Sequence, residues 1–314
     1  MTAAAVLPSP RLEDGTEDYL QQVLSSIPNL TSSINDISRG RLASGIHGEI
    51  WQASYGGERV AIKTMRTASR SAATNSERNK RLANEMRTWT RLNHPSILAC
   101  YGVCERGSYG FGLVSPWMEF QDVYHYLEAC PEARRSPLVL DVTKALVYMH
   151  SLDPPLVHGN LILDNILVNS SGEACVAGFA VSGWLRDPNA DLKDFDLYAG
   201  NPRWMAPEQI SPDEYGTTQL KSFTPSSDIY SFGMVAYEFY SDRIPFYHIT
   251  NRYLVTLSVI RGEHPSHPGQ ISTDRGLRGE MWDIVQDCWR SRPEERPSAR
   301  ELERKVAAAV ESDP

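Results

Sequence analysis

His158-Gly159-Asn160-Leu161-Ile162-Leu163-Asp164-Asn165-Ile166-Leu167-Val168 is the stretch around which the rest of the chain can be ordered. Its last three residues are a short apolar run. With Ala174-Cys175-Val176, across the turn Asn169-Ser170-Ser171-Gly172, they predict a β-hairpin. The polar residues ahead of the hairpin therefore lie on a loop that leads into a buried strand. Upstream, Leu138, Val142, Ala145 and Met149 form one apolar stripe at helical spacing. Downstream, Asp228 to Tyr240 is apolar nearly all round, which predicts a buried central helix. A last helical stretch, from Met281 to about Val310, is broken at Arg292-Pro293.

Toward the N-terminus the text changes from helix to strand. From Ile37 to Met65 it is strand-like, punctuated by Gly45, Gly48, Gly56 and Gly57, with Val60-Ala61-Ile62 as its apolar run. Thr74 and Glu77 form a capping box ahead of Leu82, Met86 and Trp89 at helical spacing. Phe111 to Met118 reads as a buried strand. Strands first and helices second predict an α+β fold in two unequal lobes, residues 29–118 and 119–314. Residues 1–28 are acidic and polar. Tyr19-Leu20, Val23-Leu24 and Ile27 give them a short amphipathic stretch, so a mobile extension that docks a helical turn or two is expected, ended by Pro28.

Composition narrows the function. The chain has 314 residues, and at about 150 residues per domain that length predicts two packed units. Lys plus Arg number 31 against 39 Asp plus Glu, a net charge of −8. That is opposite to the basic footprint of a nucleic-acid binder. No apolar run approaches the ~20 residues of a membrane span. Met1 to Pro10 has neither the basic nor the apolar region of a secretory leader. The 5 cysteines, Cys100, Cys104, Cys130, Cys175 and Cys288, are scattered, which fits a reducing compartment, cytoplasm or nucleus, better than a disulfide framework.

Several residues could carry chemistry. Ala43-Ser44-Gly45-Ile46-His47-Gly48 lies between strand-like stretches, where glycines let backbone amides approach a phosphate; a plain hairpin turn accounts for the same pattern. Lys63 closes the apolar run 60–62 and needs a partner or a solvent exit. Glu85 borders the stripe Leu82, Met86, Trp89, and a Lys63–Glu85 pair satisfies both, although two separate surface charges would too. His264-Pro265-Ser266-His267 has no accompanying acid or cysteine set at metal-ligand spacing and reads as a loop. Arg70 to Arg81 reads as a solvated basic face.

The spacing of His158, Asn160 and Asn165 resembles the catalytic loop of the protein kinase superfamily, H-R-D-L-x-x-x-N. The resemblance runs from about residue 38 to 306. It includes Ala206-Pro207-Glu208, Asp228-Ile229-Tyr230-Ser231-Phe232-Gly233 and Arg296 in Cys288-Trp289-…-Glu295-Arg296-Pro297. Arg203-Trp204-Met205-Ala206-Pro207-Glu208 and the Cys-Trp…Arg-Pro ending are similar to the tyrosine-kinase-like group, and Leu113-Val114-Ser115-Pro116-Trp117-Met118 to its fungal members. The resemblance implies a bilobal fold with a ligand cleft between a small β-rich lobe and a larger helical one. It implies that Lys63 holds ATP phosphates and pairs with Glu85, and that Gly45 and Gly48 cover the phosphates. Ile50, Ala61 and Leu167 would sandwich the adenine, Ser115 would be the gatekeeper, and the Met118 amide would meet the adenine edge. His158, Phe179, Asp228 and a Glu208–Arg296 ion pair would be structural.

The departures from the family pattern bear on activity. The catalytic-loop Asp is Asn160, and an amide cannot accept the substrate proton at neutral pH. The loop Lys is Ile162, which brings no charge to an electrostatically stabilised transition state. The metal-binding D-F-G triplet is Gly178-Phe179-Ala180, and glycine offers magnesium no oxygen ligand. Asn165 would be the only residual ligand, with Asp164 read as a solvated loop acid. Gly159 stands where an Arg would bind a phosphorylated activation segment. The segment from 178 to 208 offers Ser182 and Tyr198 on what reads as a solvated, mobile loop, whose acids Asp187, Asp191, Asp194 and Asp196 outnumber Arg186 and Lys193. The resemblance with these losses implies a pseudokinase acting as a scaffold or allosteric partner of signalling proteins, an active kinase among them. ATP would bind weakly without metal, or not at all, and magnesium would not bind well. The alternative is an active Ser/Thr/Tyr kinase that transfers the ATP γ-phosphate with atypical residues.

Overall fold

A computed structural model of the chain describes residues 16–40, 42–45, 48–64, 75–107, 110–186 and 201–312. The expectations for residues 1–15, Ile46, His47, Arg70, Thr74, Asp187, Asp191, Lys193, Asp194, Asp196 and Tyr198, and for the side chains of Glu77 and Arg81, fall outside the described residues. The strands are β1 (Ile34–Asn35), β2 (Ala43–Gly45), β3 (Gly48–Tyr55), β4 (Glu58–Thr64), β5 (Gly102–Glu105), β6 (Phe111–Pro116), β7 (Ile166–Val168) and β8 (Ala174–Val176). The helices are α1 (Thr16–Ser25), α2 (Asn75–Trp89), α3 (Val123–Ala129), α4 (Arg135–His150), α5 (Ala180–Leu185), α6 (Pro207–Ile210), α7 (Pro225–Ser241), α8 (Arg252–Ile260), α9 (Gln270–Asp274), α10 (Glu280–Cys288) and α11 (Ala299–Ser312).

The chain divides into two compact units. The first runs to Met118 and also takes the segment that begins at Phe179. Its antiparallel sheet has the order β1-β3-β4-β6-β5, with β2 pairing the other end of β3. Alternation along β4 sends Val60, Ile62 and Thr64 inward. Val60 and Ile62 join Trp51, Ala53, Cys104 and Val114 in one core. α2 buries Leu82, Ala83, Met86 and Trp89.

Two expectations for this unit are corrected. The N-terminal extension does more than dock a turn or two. α1 is a 10-residue helix, and it is held against α2 because Tyr19, Leu20, Val23 and Ile27 are all buried. Beyond it, Leu30 N–H and Val103 N–H bond to the carbonyls of Val103 and Pro28, so the chain joins the edge of β5. The second correction concerns Ser182, which is not on a solvated loop. It is fully buried in α5, which packs on α2. The short apolar run around Val181 supplies the reason, and the acids that suggested a solvated loop begin only after Arg186.

The second unit is mainly helical. α7 buries 15 of its residues, as expected of a helix apolar on every face, and α4 and α10 pack against it. Leu138, Val142, Ala145 and Met149 are buried on α4, against which α11 and β8 lie. β7 and β8 form the expected hairpin, with Leu167 opposite Cys175. The interruption between α10 and α11 is a short 3₁₀ turn, Pro293–Glu295, where proline lacks the N–H a continuing helix needs.

Candidate functional site

Strand register assembles the first group of residues. Ile50 stands opposite Lys63, and Ala61 stands between Gln52 on one side and Ser115 on the other. Lys63 Nζ lies 2.7 Å from Glu85 Oε1, with the lysine side chain 20% exposed and the glutamate 2%. Of the two arrangements open to these charges, the paired one is present. A buried carboxylate without it would be strongly destabilising. The ammonium keeps a solvent-facing side and has donors left for an anion. Ser115 and Met118 are buried near the end of β6. Gly45 pairs with Gly48 at the β2–β3 junction. Gly48 also has a packing reason to be glycine, because a Cβ there would fall 2.4 Å from the Thr64 carbonyl oxygen.

The second unit holds the loop that opens the sequence argument. Asp228, 1% exposed, accepts the backbone N–H of His158 at 2.8 Å and of Gly159 at 2.9 Å, and lies 2.9 Å from His150 Nε2. His158 Nε2 lies 2.9 Å from the Ala177 carbonyl, and its Nδ1 accepts the Asn160 N–H at 3.2 Å. Those partners fix a neutral ring with the proton on Nε2. Burial pulls its pKa down, opposed by the nearby Asp228. His158 thus ties the backbone of Asn160 to the residue before Gly178.

The Asn165 side chain lies between the Asn160 backbone and Gly178. Asn165 Nδ2 donates to the Asn160 carbonyl at 2.9 Å. Gly178 has φ of +86°, and a Cβ built on it would lie 2.5 Å from Asn165 Oδ1 and 2.6 Å from its Cγ. The amide of Asn165 therefore occupies the space that any side chain at 178 would enter. Ile162, half-buried, brings no charge. Asp164 is exposed, as expected, and its carboxyl pKa is raised by burial and by Asp122. Leu167, on β7, is bridged to Asp122.

The other residues singled out in the sequence lie in bonded or packed surroundings. Arg296 clasps Glu208 through two bonds of 2.6 and 2.8 Å, both side chains buried. It also donates to the carbonyls of Arg290 and Ser226. Phe179 is buried against Trp89 in the first unit. His264 stacks on Trp289, while His267 meets Trp282 edge-on and bonds the Leu277 carbonyl.

One buried carboxylate escaped the sequence reading. Glu238, in the last turn of α7, accepts hydrogen bonds from Tyr124 Oη and from Trp204 Nε1, the latter at 3.0 Å. Burial pushes its pKa up to about 7 against those bonds. A second acid, after Asp228, inside the apolar run 228–240 was the available signal, since such a group must find donors.

With this geometry in place, comparison with known proteins is informative. A family model described as protein tyrosine and serine/threonine kinase matches residues 37–306. The chain is 26% identical to serine/threonine-protein kinase CTR1 of Arabidopsis thaliana over 82% of its length, and 26% identical to serine/threonine-protein kinase TNNI3K of Mus musculus over 84%. It is 25% identical over 82% to serine/threonine/tyrosine-protein kinase HT1 of Arabidopsis thaliana. The match spans 30% of CTR1 and of TNNI3K, and 62% of HT1.

Proposed function

The chain belongs to the protein tyrosine and serine/threonine kinase family, and on that premise we propose that it is a member impaired in phosphoryl transfer that works by binding signalling proteins. The carrying observation is the joint state of positions 160, 162 and 178. Asn160 cannot serve as the base, a loss worth ~10²–10⁴-fold. Ile162 leaves the transferred group without its lysine. Gly178 has no carboxylate, and Asn165, with its amide tied to the Asn160 carbonyl, fills the place of one. This donor set does not fit magnesium, a hard cation that seeks oxygen ligands in octahedral array, so no step is routed through the metal.

The nucleotide itself fits better. Lys63, paired with Glu85, would hold phosphates, and Ile50 and Ala61 would offer apolar surface to the base. ATP then binds weakly and without help from magnesium. The tyrosine-kinase-like group and its fungal members remain the affiliation the sequence favours. Among the described residues no helix is long and apolar enough to cross a membrane. The cytoplasm is the compartment proposed, and an active kinase is one partner class.

A transfer assay with labelled ATP and either magnesium or manganese tests the reading. No turnover above background is expected. Turnover abolished by Lys63→Ala would overturn the proposal and establish the alternative, an active kinase with atypical chemistry.

A further inference from the structure

Helix α1 grips the turn of α2 that carries Glu85. Tyr19 Oη donates to Asn84 Oδ1 at 2.6 Å, and Asn84, the residue before Glu85, is buried. Arg87, two residues beyond Glu85, places its guanidinium 5.9 Å from the centre of the Tyr19 ring. From α5, the backbone presses on the same asparagine. A Cβ at Gly183 would lie 2.6 Å from the Asn84 carbonyl oxygen. Asn84 is therefore bonded through its side chain to α1, while α5 approaches its carbonyl closely. Packing alone does not demand the Tyr19 hydroxyl, since phenylalanine fills nearly the same volume. What the hydroxyl adds is a donor to a buried amide oxygen.

The sequence ahead of this tyrosine has a strong charge pattern. Glu13, Asp14, Glu17 and Asp18 precede it, and no lysine or arginine occurs between Arg11 and Arg39. Charge patterns of this kind are what kinases with basic substrate grooves discriminate.

We propose that Tyr19, whose buried hydroxyl is reached when α1 opens from α2, is a phosphorylation site for a separate tyrosine kinase, and that its modification keeps α1 from docking again. In the reaction Tyr19 Oη bonds to the γ-phosphorus of ATP on the modifying enzyme. The bond to the β–γ bridging oxygen breaks, ADP leaves, and the phenolic proton passes to that enzyme's base. The product carries nearly two negative charges where a neutral hydroxyl had met an amide oxygen, beside Glu17 and Asp18 in sequence. A phosphate does not fit the buried contact with Asn84, and its desolvation works against docking even with the Arg87 guanidinium beside the ring. A freed helix of 10 residues is too short to persist alone in water. The turn that carries Glu85 would then lose its bond to α1, so a covalent signal at Tyr19 would be felt at the Lys63–Glu85 pair. The inference does not depend on whether this chain transfers phosphoryl groups itself.

The test treats the full-length chain with a purified tyrosine kinase and magnesium ATP, maps the product by mass spectrometry, and follows amide hydrogen exchange over residues 16–27. Phosphate is expected at Tyr19 and absent from that position in Tyr19→Phe, with exchange over 16–27 at least about tenfold faster in the modified chain. A Leu20→Ser/Val23→Ser chain, which weakens docking without touching Tyr19, should be modified several-fold faster than wild type. The proposal is overturned if wild-type Tyr19 stays unmodified, if it is modified with exchange over 16–27 unchanged, or if the doubly substituted chain is modified no faster.

Discussion

Replacing Gly178 with alanine and with aspartate separates packing from metal chemistry at the degenerate position. Either Cβ enters space held by Asn165, 2.5 Å from its Oδ1. Asn165 must then rotate and give up its 2.9 Å bond to the Asn160 carbonyl, at a cost of about 0.5–1.5 kcal/mol. The backbone at φ +86° adds about 1–2 kcal/mol for a residue with a side chain. Each variant should therefore lose roughly 2–3 kcal/mol, a fall in Tm of roughly 4–12 °C at ~2–4 °C per kcal/mol for a unit of this size. The assay is thermal unfolding with and without ATP and magnesium. For Gly178→Asp, magnesium together with ATP should restore part of the loss, since a ligand at a hundred times its Kd contributes about 2.7 kcal/mol. Gly178→Ala should recover nothing with magnesium, and wild type should respond to ATP alone or not at all. Asn165→Ala in the Gly178→Ala background should return part of the lost stability, because the two positions share one space. Gly178→Ala melting within about 1 °C of wild type would refute the packing argument. A magnesium-dependent rise in the wild-type Tm would refute the argument about the donor set.

Other perturbations have equally definite outcomes. Arg296→Leu leaves Glu208 buried without its bidentate partner, and a loss of about 3–5 kcal/mol is expected in denaturant unfolding. Lys63→Met strands Glu85 in the same way and should lower stability by about 3 kcal/mol, whether or not nucleotide binds. Glu238 titrates near pH 7 in the folded chain, above its unfolded value, so the folded state binds the extra proton between about pH 4.5 and 7. Its contribution is therefore complete below that window and is lost as pH rises through it, on the order of 3 kcal/mol. Unfolding free energies across the window should fall with pH in wild type, and this part of the slope should be missing in Glu238→Gln.

What could be read in the sequence was whatever depends on local pattern and spacing. The hairpin at 166–176 and the buried helix α7 follow from apolar periodicity, and the catalytic-loop register follows from a run of residues in fixed order. The Lys63–Glu85 pair needed only the principle that two costly buried charges seek each other. The features that escaped depend on which surfaces meet in space. No spacing rule relates Asn165 to Gly178, because the hairpin folds residue 178 back beside 165 and only then does the amide fill the gap. The α1 docking escaped for the same reason. Its apolar residues were visible, but their partner lies some 60 residues away in sequence. Ser182 was misplaced because charge farther along the segment outweighed six residues whose apolar character was local.

Asp228 gives the loop 158–160 a shape that does not depend on the side chains at 160 and 162. Its carboxylate is buried on α7 and holds backbone amides, and His158 secures the other side through a carbonyl and an N–H. The side chains at 160 and 162 hang from this frame as replaceable attachments. Form and reaction are thereby uncoupled. A chain built in this manner can drift out of catalysis, or be rewritten toward it, one residue at a time while each intermediate still folds.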